Sequence, residues 1–296
     1  MNLRENGPHM SLIETALNKA KKLAETGIHP VLRAPPEAPR EVLPRRAPVS
    51  APDAEVVAAR TERARTLPVA SVDARVMEER GVLLAVEDPA AHRSCRILRT
   101  RVQQRMRAQG WHSLAVTAVG VGDGKTLTAI NLAISLARDV NTWVYLVDLD
   151  LQRPSVSSYL GMQFDKGLSD YLAGQAQFDE IIYSPGVERL AVIPNANVVA
   201  LSSDVLGSPR AHELCKSLAG EVPRPIVIYD MPPLLMGDDV LKFAPNVDST
   251  LFVVSEGVTS RASLLKANEV LQEMNLLGVV LNRSTEREGG GHYGYY

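Results

Sequence analysis

Val119-Gly120-Val121-Gly122-Asp123-Gly124-Lys125-Thr126 decides the reading of this chain. The segment follows an apolar, β-prone run, Leu114–Ala118, and precedes a helical pattern, Thr126–Ala137. Strand, glycine-rich loop and helix stand in the order that a phosphate site requires. Gly120, Gly122 and Gly124 let backbone N–H groups converge on phosphate oxygens without Cβ clashes. Lys125 supplies a point charge for β- and γ-phosphates, and the Thr126 hydroxyl can join a Mg²⁺ shell. Val119 stands where G-x-x-x-x-G-K-[ST] has its first glycine, so the motif is a deviant P-loop.

Further β-prone runs follow at Trp143–Val147, Leu190–Ile193, Ile226–Tyr229, Thr250–Val254 and Val279–Leu281. Helical patterns such as Arg261–Met274 lie between most of them. Near-continuous apolar strands alternating with helices predict an α/β fold of the P-loop NTPase type. The central sheet is expected to be mostly parallel, with helices on both faces. Ligands in such sheets bind outside the carboxyl ends of the strands.

Two of those ends are acidic. Val147-Asp148-Leu149-Asp150 puts two carboxylates on one side if the extended geometry continues. One then suits Mg²⁺, and the other suits orienting or deprotonating an attacking hydroxyl. Ile226-Val227-Ile228-Tyr229-Asp230 is a Walker B pattern, whose acid serves Mg²⁺ directly or through water. The bland reading of the first segment is a strand end with solvated acids; the second is weak alone and strong in series with the other two motifs. Asp238 and Asp239 follow, and read at least as well as a polar loop or helix cap as in a catalytic role.

Composition bounds the rest. Of 296 residues, 45% are hydrophobic, enough for a large core. A net charge of -2 gives no global drive toward nucleic acid or an anionic membrane. Cys95 and Cys215 read as reduced thiols, and the histidines show no metal-ligand spacing. No apolar run approaches the roughly 20 residues that span a bilayer, and no signal-peptide core is present. The expectation is a soluble, cytoplasmic protein.

Four segments are expected. Residues 1–28 carry an amphipathic helix, with Ser11 and Glu14 as a capping box and Ile13, Ala16, Leu17, Ala20 and Ala24 as its stripe. It reads either as packed on the main domain or as a detachable partner-binding helix. Residues 29–87 form a Pro/Ala/Arg-rich flexible linker whose last part is ambiguous. Residues 88–285 form the P-loop domain, and 286–296 a Gly/Tyr-rich flexible tail. Asp88-Pro89 opens a helix with Cys95, Leu98, Val102 and Met106 on one face and Gly110 at its end. Arg93, Arg96, Arg99, Arg101, Arg105 and Arg107 make its other surface basic, read as a solvated face or as a protein or phosphate contact.

These segments resemble the bacterial tyrosine kinases of capsule and exopolysaccharide assembly. The likeness covers about residues 88 to 285 and the tail. It rests on Gly122–Thr126, on Asp148-Leu149-Asp150 with Arg153-Pro154, and on Asp230-Met231-Pro232-Pro233. Gly167–Leu172, Leu206–Arg210 and Val279–Arg283 add connecting motifs of the same kind. The resemblance implies an ATP- and Mg²⁺-dependent tyrosine autokinase. It implies that Lys125, Asp148 and Asp150 are catalytic, and that Thr126, Asp150 and Asp230 organise the metal. Gly122, Asp123, Gly124, Lys125, Thr126, Leu127, Asn282 and Arg283 would hold the nucleotide, with Asn282 reading the adenine edge. Tyr293, Tyr295 and Tyr296 would accept phosphate. The implied partners are a Wzz-type membrane chain-length regulator as activator, a tyrosine phosphatase, and neighbouring subunits in a ring contacted through Arg96 and Arg99. Recruitment would be to the inner face of the membrane. Nucleic acid is not an implied partner.

The chain departs from the pattern in two places. Arg93 stands where the ring-contact helix has Glu, and Gln152 stands where the second acidic motif continues with Arg. Two alternatives remain open. One is a nucleotide-binding pseudokinase scaffold. The other is a partitioning-type ATPase switch, against which Gly120 counts, because those proteins carry a signature lysine there.

Overall fold

The computed structural model describes residues 67–221 and 224–284. The expected helix near Ser11, most of the expected linker and the tyrosine tail lie outside the described residues. The chain builds α1 (Ala74–Arg80), α2 (Pro89–Gln109), β1 (Ser113–Ala118), α3 (Lys125–Ala137), β2 (Val144–Asp148) and α4 (Val156–Leu160). It continues through α5 (Leu168–Leu172), β3 (Leu190–Ile193), α6 (Ser202–Leu206), α7 (Pro209–Gly220) and β4 (Ile226–Asp230). It closes with α8 (Asp239–Phe243), β5 (Ser249–Ser255), α9 (Arg261–Leu271) and β6 (Leu276–Asn282).

The strands form a six-stranded sheet in the order β3-β2-β4-β1-β5-β6, with parallel pairing throughout. Each strand sorts its side chains by a period of two. Leu114, Val116, Val144, Leu146, Val192 and Ile228 enter one core with α3 and with Val102 and Met106 of α2. Ala115, Tyr145, Val147, Ala191, Val227 and Tyr229 enter the other with α5, α7, α8 and α9. Both faces are therefore covered, which is why the strands read as unbroken apolar runs.

The register sets the site. Asp148 and Asp230 are Cα partners at the ends of β2 and β4. Beyond Asp230 the chain stays hooked to β1, through the Thr117 hydroxyl on the Pro232 carbonyl at 2.7 Å and the Leu234 N–H on Ala118 at 2.8 Å.

Two expectations change. The linker reading fails for residues 67–87. Met77, Val82 and Leu83 are buried there, and the Asn131 side chain satisfies the Leu83 N–H and the Gly81 carbonyl at 2.9 and 3.2 Å. Pro68 and Ala70 exchange backbone bonds with Ser184, both at 2.9 Å. A few well-placed apolar residues outweigh the polar composition around them. The basic face of α2 is also only partly solvated. Arg99 donates to the Ser135 carbonyl at 3.2 Å, Arg105 to the Leu277 carbonyl, and Arg107 pairs with Asp139 at 3.5 Å. The α2 ends are as read: Asp88 caps the Ala90 N–H at 2.8 Å, and Gly110 turns left-handed at φ 69.

At the opposite end of the sheet Asp248 ties β1 to β5. It accepts from the His112 N–H, the Ser113 N–H and the Ser113 hydroxyl at 2.8, 2.9 and 2.9 Å. Burial alone would raise its pKa, but these hydrogen bonds outweigh burial and hold the carboxyl below its ordinary value. A depressed folded-state pKa adds stability above the unfolded value and loses it as pH falls through the folded one. Asp248→Ala is therefore expected to cost about 2 kcal/mol at neutral pH, by stranding three donors. Urea unfolding should show the gap from wild type narrowing below about pH 4; a gap independent of pH contradicts the assignment.

Candidate active site

The loop after β1 is shaped by glycine. Gly122 and Gly124 take φ of 85 and 91, the left-handed region where other residues are strained. A Cβ on Gly124 would also fall 2.0 Å from Asn282 Nδ2. Asp123 is turned inward: its carboxylate accepts from the Gly120 N–H at 2.9 Å and from the Thr259 hydroxyl at 3.0 Å. Its side chain thus scaffolds the loop, and its backbone is the part free to face a phosphate. Helix α3 starts directly after Gly124. The first N–H groups of a helix have no intrahelical partner, so Lys125, Thr126 and Leu127 present amides at the positive end of its dipole. The Leu127 side chain packs against the N-terminal segment near Gly81.

Lys125 is the hub of the acidic groups. Its ammonium lies 2.8 Å from Asp150 Oδ2 and 3.4 Å from Asp230 Oδ1. Burial would lower its pKa, but the Asp230 and Asp150 charges outweigh burial and raise it. The Thr126 hydroxyl donates to Asp230 Oδ2 at 2.7 Å. Asp230 and Asp148 are both fully buried. Burial pushes both carboxyls up in pKa, Asp148 well above its ordinary value with the Asp230 charge adding to the effect; Lys125 opposes both shifts without cancelling them.

The two acids of the second motif do not share a strand. β2 ends at Asp148, and Asp150 lies in the following turn, where its Oδ1 accepts the Arg153 N–H at 3.0 Å. Asp148 Oδ2 accepts the Ser155 and Val156 N–H groups at the start of α4, both at 2.9 Å. Asp148 Oδ1 is buried without a hydrogen-bond partner.

The structure thus brings together Lys125, Thr126, Asp148, Asp150 and Asp230. Asn282 joins them from the end of β6, donating to the Asp123 carbonyl at 2.9 Å. Arg283 follows, exposed and at φ 56. A non-glycine residue held left-handed costs about 1 kcal/mol, a strain that collects at functional sites. Tyr293, Tyr295 and Tyr296 fall outside the described residues.

Three contributors escape a reading of the motifs. Ser155 sets its hydroxyl 3.1 Å from the Thr126 hydroxyl, as well as holding Asp148. Its place just before a helix was a usable signal. Thr259 reaches the loop from beyond β5 and carries no local signature. Gln152 bridges the Ser202 hydroxyl at 3.0 Å and Asp239 Oδ2 at 3.1 Å. Asp239 is therefore a buried partner of Gln152 rather than a solvated cap.

The donor set fits a magnesium nucleotide. Left-handed glycines, a helix N-terminus and a lysine match a polyphosphate. Thr126, two carboxylates and an unpartnered carboxylate oxygen match a hard cation. Among the described residues no group of three or more His, Cys, Asp or Glu is arranged to hold a metal alone.

Comparison with known proteins agrees. Residues 114–293 match the CobQ/CobB/MinD/ParA nucleotide binding domain. The tyrosine-protein kinase YwqD of Bacillus subtilis (strain 168) is 26% identical over 218 residues, spanning 72% of this chain and 90% of that protein. The tyrosine-protein kinase CpsD of Streptococcus agalactiae is 29% identical over 187 residues, 62% of this chain and 80% of that protein. Among solved structures, the kinase domain of Escherichia coli tyrosine kinase ETK aligns with a TM-score of 0.61 at 27% identity, covering 72% of this chain and 84% of that one. Asp150 and Asp230 lie around Lys125 on a parallel sheet with a glycine loop, and this chain belongs to the CobQ/CobB/MinD/ParA nucleotide-binding family of P-loop proteins.

Proposed function

We propose that this chain is an ATP- and Mg²⁺-dependent protein-tyrosine kinase that phosphorylates its own C-terminal tyrosines and serves exopolysaccharide or capsule assembly. The observation that carries the reading is Lys125 set among Asp148, Asp150 and Asp230, with Thr126 on Asp230. The tyrosine kinases named above support the choice of acceptor. Gly120, which donates to Asp123 where partitioning ATPases carry a signature lysine, speaks against that alternative.

The bound nucleotide and its metal supply the transferable phosphoryl group and the divalent charge that offsets its negative oxygens. The chain's own residues position and neutralise. Lys125, which lies on Asp150 and Asp230, would hold phosphate oxygens. Thr126, Asp150 and Asp230 would hold the metal. Asp148 keeps one oxygen on the α4 amides and offers the other to a tyrosine hydroxyl. Its raised proton affinity makes it a stronger base than a solvated carboxylate. Asp148 and Asp150 can trade these roles. Activation by a membrane chain-length regulator, exchange between neighbouring subunits and reversal by a phosphatase belong to the same proposal. That partner would also recruit the chain to the inner face of the membrane; among the described residues no helix is long and apolar enough to cross one.

A second reading, a scaffold that binds nucleotide without transfer, is favoured by Gln152 at a position where the kinases carry Arg. Mass spectrometry of the C-terminal peptide after incubation with ATP and Mg²⁺ separates the two. Phosphate is expected on Tyr293, Tyr295 or Tyr296, and Lys125→Met should abolish it. ATP binding without phosphate, with or without the cytoplasmic segment of a membrane partner, would favour the scaffold.

The electrostatics give an independent check. Asp148 and Asp230 have raised pKa values when folded, so their ionised forms oppose folding, and that opposition disappears as they protonate at lower pH. Lys125→Met removes the cation that offsets them. Without nucleotide, the variant is expected to lose about 3 kcal/mol near neutral pH. Denaturant titrations should show that deficit shrinking toward about pH 5, as protons replace the ammonium. A deficit that grows on acidification would mean Lys125 does not compensate these carboxylates.

A further inference from the structure

Three described helices open on a serine, and one of these serines behaves unlike the other two. A serine in that place ordinarily turns its hydroxyl back on its own helix, to accept one of the first free amides. Ser208 does this for α7, accepting the Ala211 N–H at 3.3 Å, and Ser260 for α9, accepting the Ser263 N–H at 3.1 Å. The Ser155 hydroxyl makes no such bond to α4. It lies 3.1 Å from the Thr126 hydroxyl instead. The Ser155 and Val156 N–H groups go to Asp148 Oδ2, both at 2.9 Å. The Ser155 carbonyl accepts the Ser158 hydroxyl at 2.8 Å. Asp148 has taken over the start of α4, and the serine hydroxyl is released to face the phosphate loop.

A proton count at Thr126 says what that hydroxyl does there. A hydroxyl carries one donor and two acceptor lone pairs. The Thr126 proton goes to Asp230 Oδ2 at 2.7 Å. The Lys125 ammonium, which can only donate, takes one lone pair at 3.2 Å. Ser155 is left to donate to the other. Thr126 is then fully partnered, and its hydroxyl cannot rotate without losing a bond.

Resting on the nucleotide and metal part of the kinase reading, we infer that Ser155 is a positioning residue for the divalent cation and acts through Thr126. With Asp230 on the proton and Ser155 on one lone pair, the lone pair now facing Lys125 is the one left for a metal. A hydroxyl fixed by both neighbours presents that lone pair in one direction; a hydroxyl fixed by Asp230 alone can swing it away. The N–H of the same serine fixes Asp148. One residue therefore sets both a ligand of the cation and the proposed base.

The test uses the full chain and equilibrium titration of a fluorescent ADP analogue, once with Mg²⁺ and once with EDTA in its place. The quantity read is the ratio of the two Kd values. Wild type should bind more tightly with Mg²⁺. Ser155→Ala keeps the backbone N–H that Asp148 accepts, and should reduce the Mg²⁺ advantage about tenfold, the worth of one hydrogen bond, with the Kd in EDTA unchanged. Ser155→Thr keeps the donor and should retain the wild-type ratio. Ser155→Cys offers a weaker donor of similar size and should fall between the two; it decides the matter if Ser155→Ala does not fold. Weakening that is equal with and without Mg²⁺, or no change in either Kd, would show a merely structural role and overturn the inference. Wild type without a Mg²⁺ advantage overturns it as well. A Mg²⁺ advantage that Ser155→Ala loses, in a chain that never carries phosphate on its C-terminal tyrosines, would uphold the inference and remove the kinase reading.

Discussion

A lysine ammonium held between two buried carboxylates, 2.8 Å from one and 3.4 Å from the other, is the contact around which this domain is organised. Neither side of the contact is tolerable alone. An isolated charge with that burial would surrender or take up a proton. Together they let Asp148, Asp150 and Asp230 converge beneath a helix N-terminus. The arrangement is also provisional. A polyphosphate with its metal offers Lys125 a competing set of oxygens and offers the acids a competing cation. The same attraction that makes these buried charges bearable makes them ready to exchange partners.

The surrounding framework is less negotiable. Asp148 is fixed by two amides of α4, Asp150 by the turn it sits in, and Asp230 by a strand end hooked to β1. Each acid therefore comes from a different local structure, and the sheet register brings them together. Such redundancy suits a site whose work is positioning, because an error of about 1 Å costs transfer rate steeply.

Much of this was legible in the residues. Strand positions, the parallel sheet, the glycine loop and the three acids follow from patterns within a few residues of one another. Asp88 and Gly110 bound their helix by local rules of capping. What was not legible depends on contacts far apart in the chain. Residues 67–87 look like linker by composition, and partners far along the chain, Asn131 and Ser184 among them, show what their backbone bonds to. Thr259 meets Asp123 across more than a hundred residues, and nothing near Thr259 announces it. The arginines of α2 looked alike in sequence; distant carbonyls sort some of them into structural roles. Gln152 read as a loss relative to an expected Arg, until Ser202 and Asp239 appeared beside it.

The strand order carries a consequence for how the protein comes into being. β1, which leads into the phosphate loop, pairs with β4 and β5 and not with β2, its successor in the chain. Its first hydrogen-bonded neighbour is made more than a hundred residues later. During synthesis the loop must therefore wait, unframed, until β4 has left the ribosome. Pairing over such distances is slow, and it leaves apolar strands open to other partners meanwhile. The delay also has a use. Lys125 cannot meet Asp230 before the centre of the sheet closes, so a partly made chain cannot assemble the nucleotide site. The site's competence therefore comes late in synthesis, with the closing of the sheet centre.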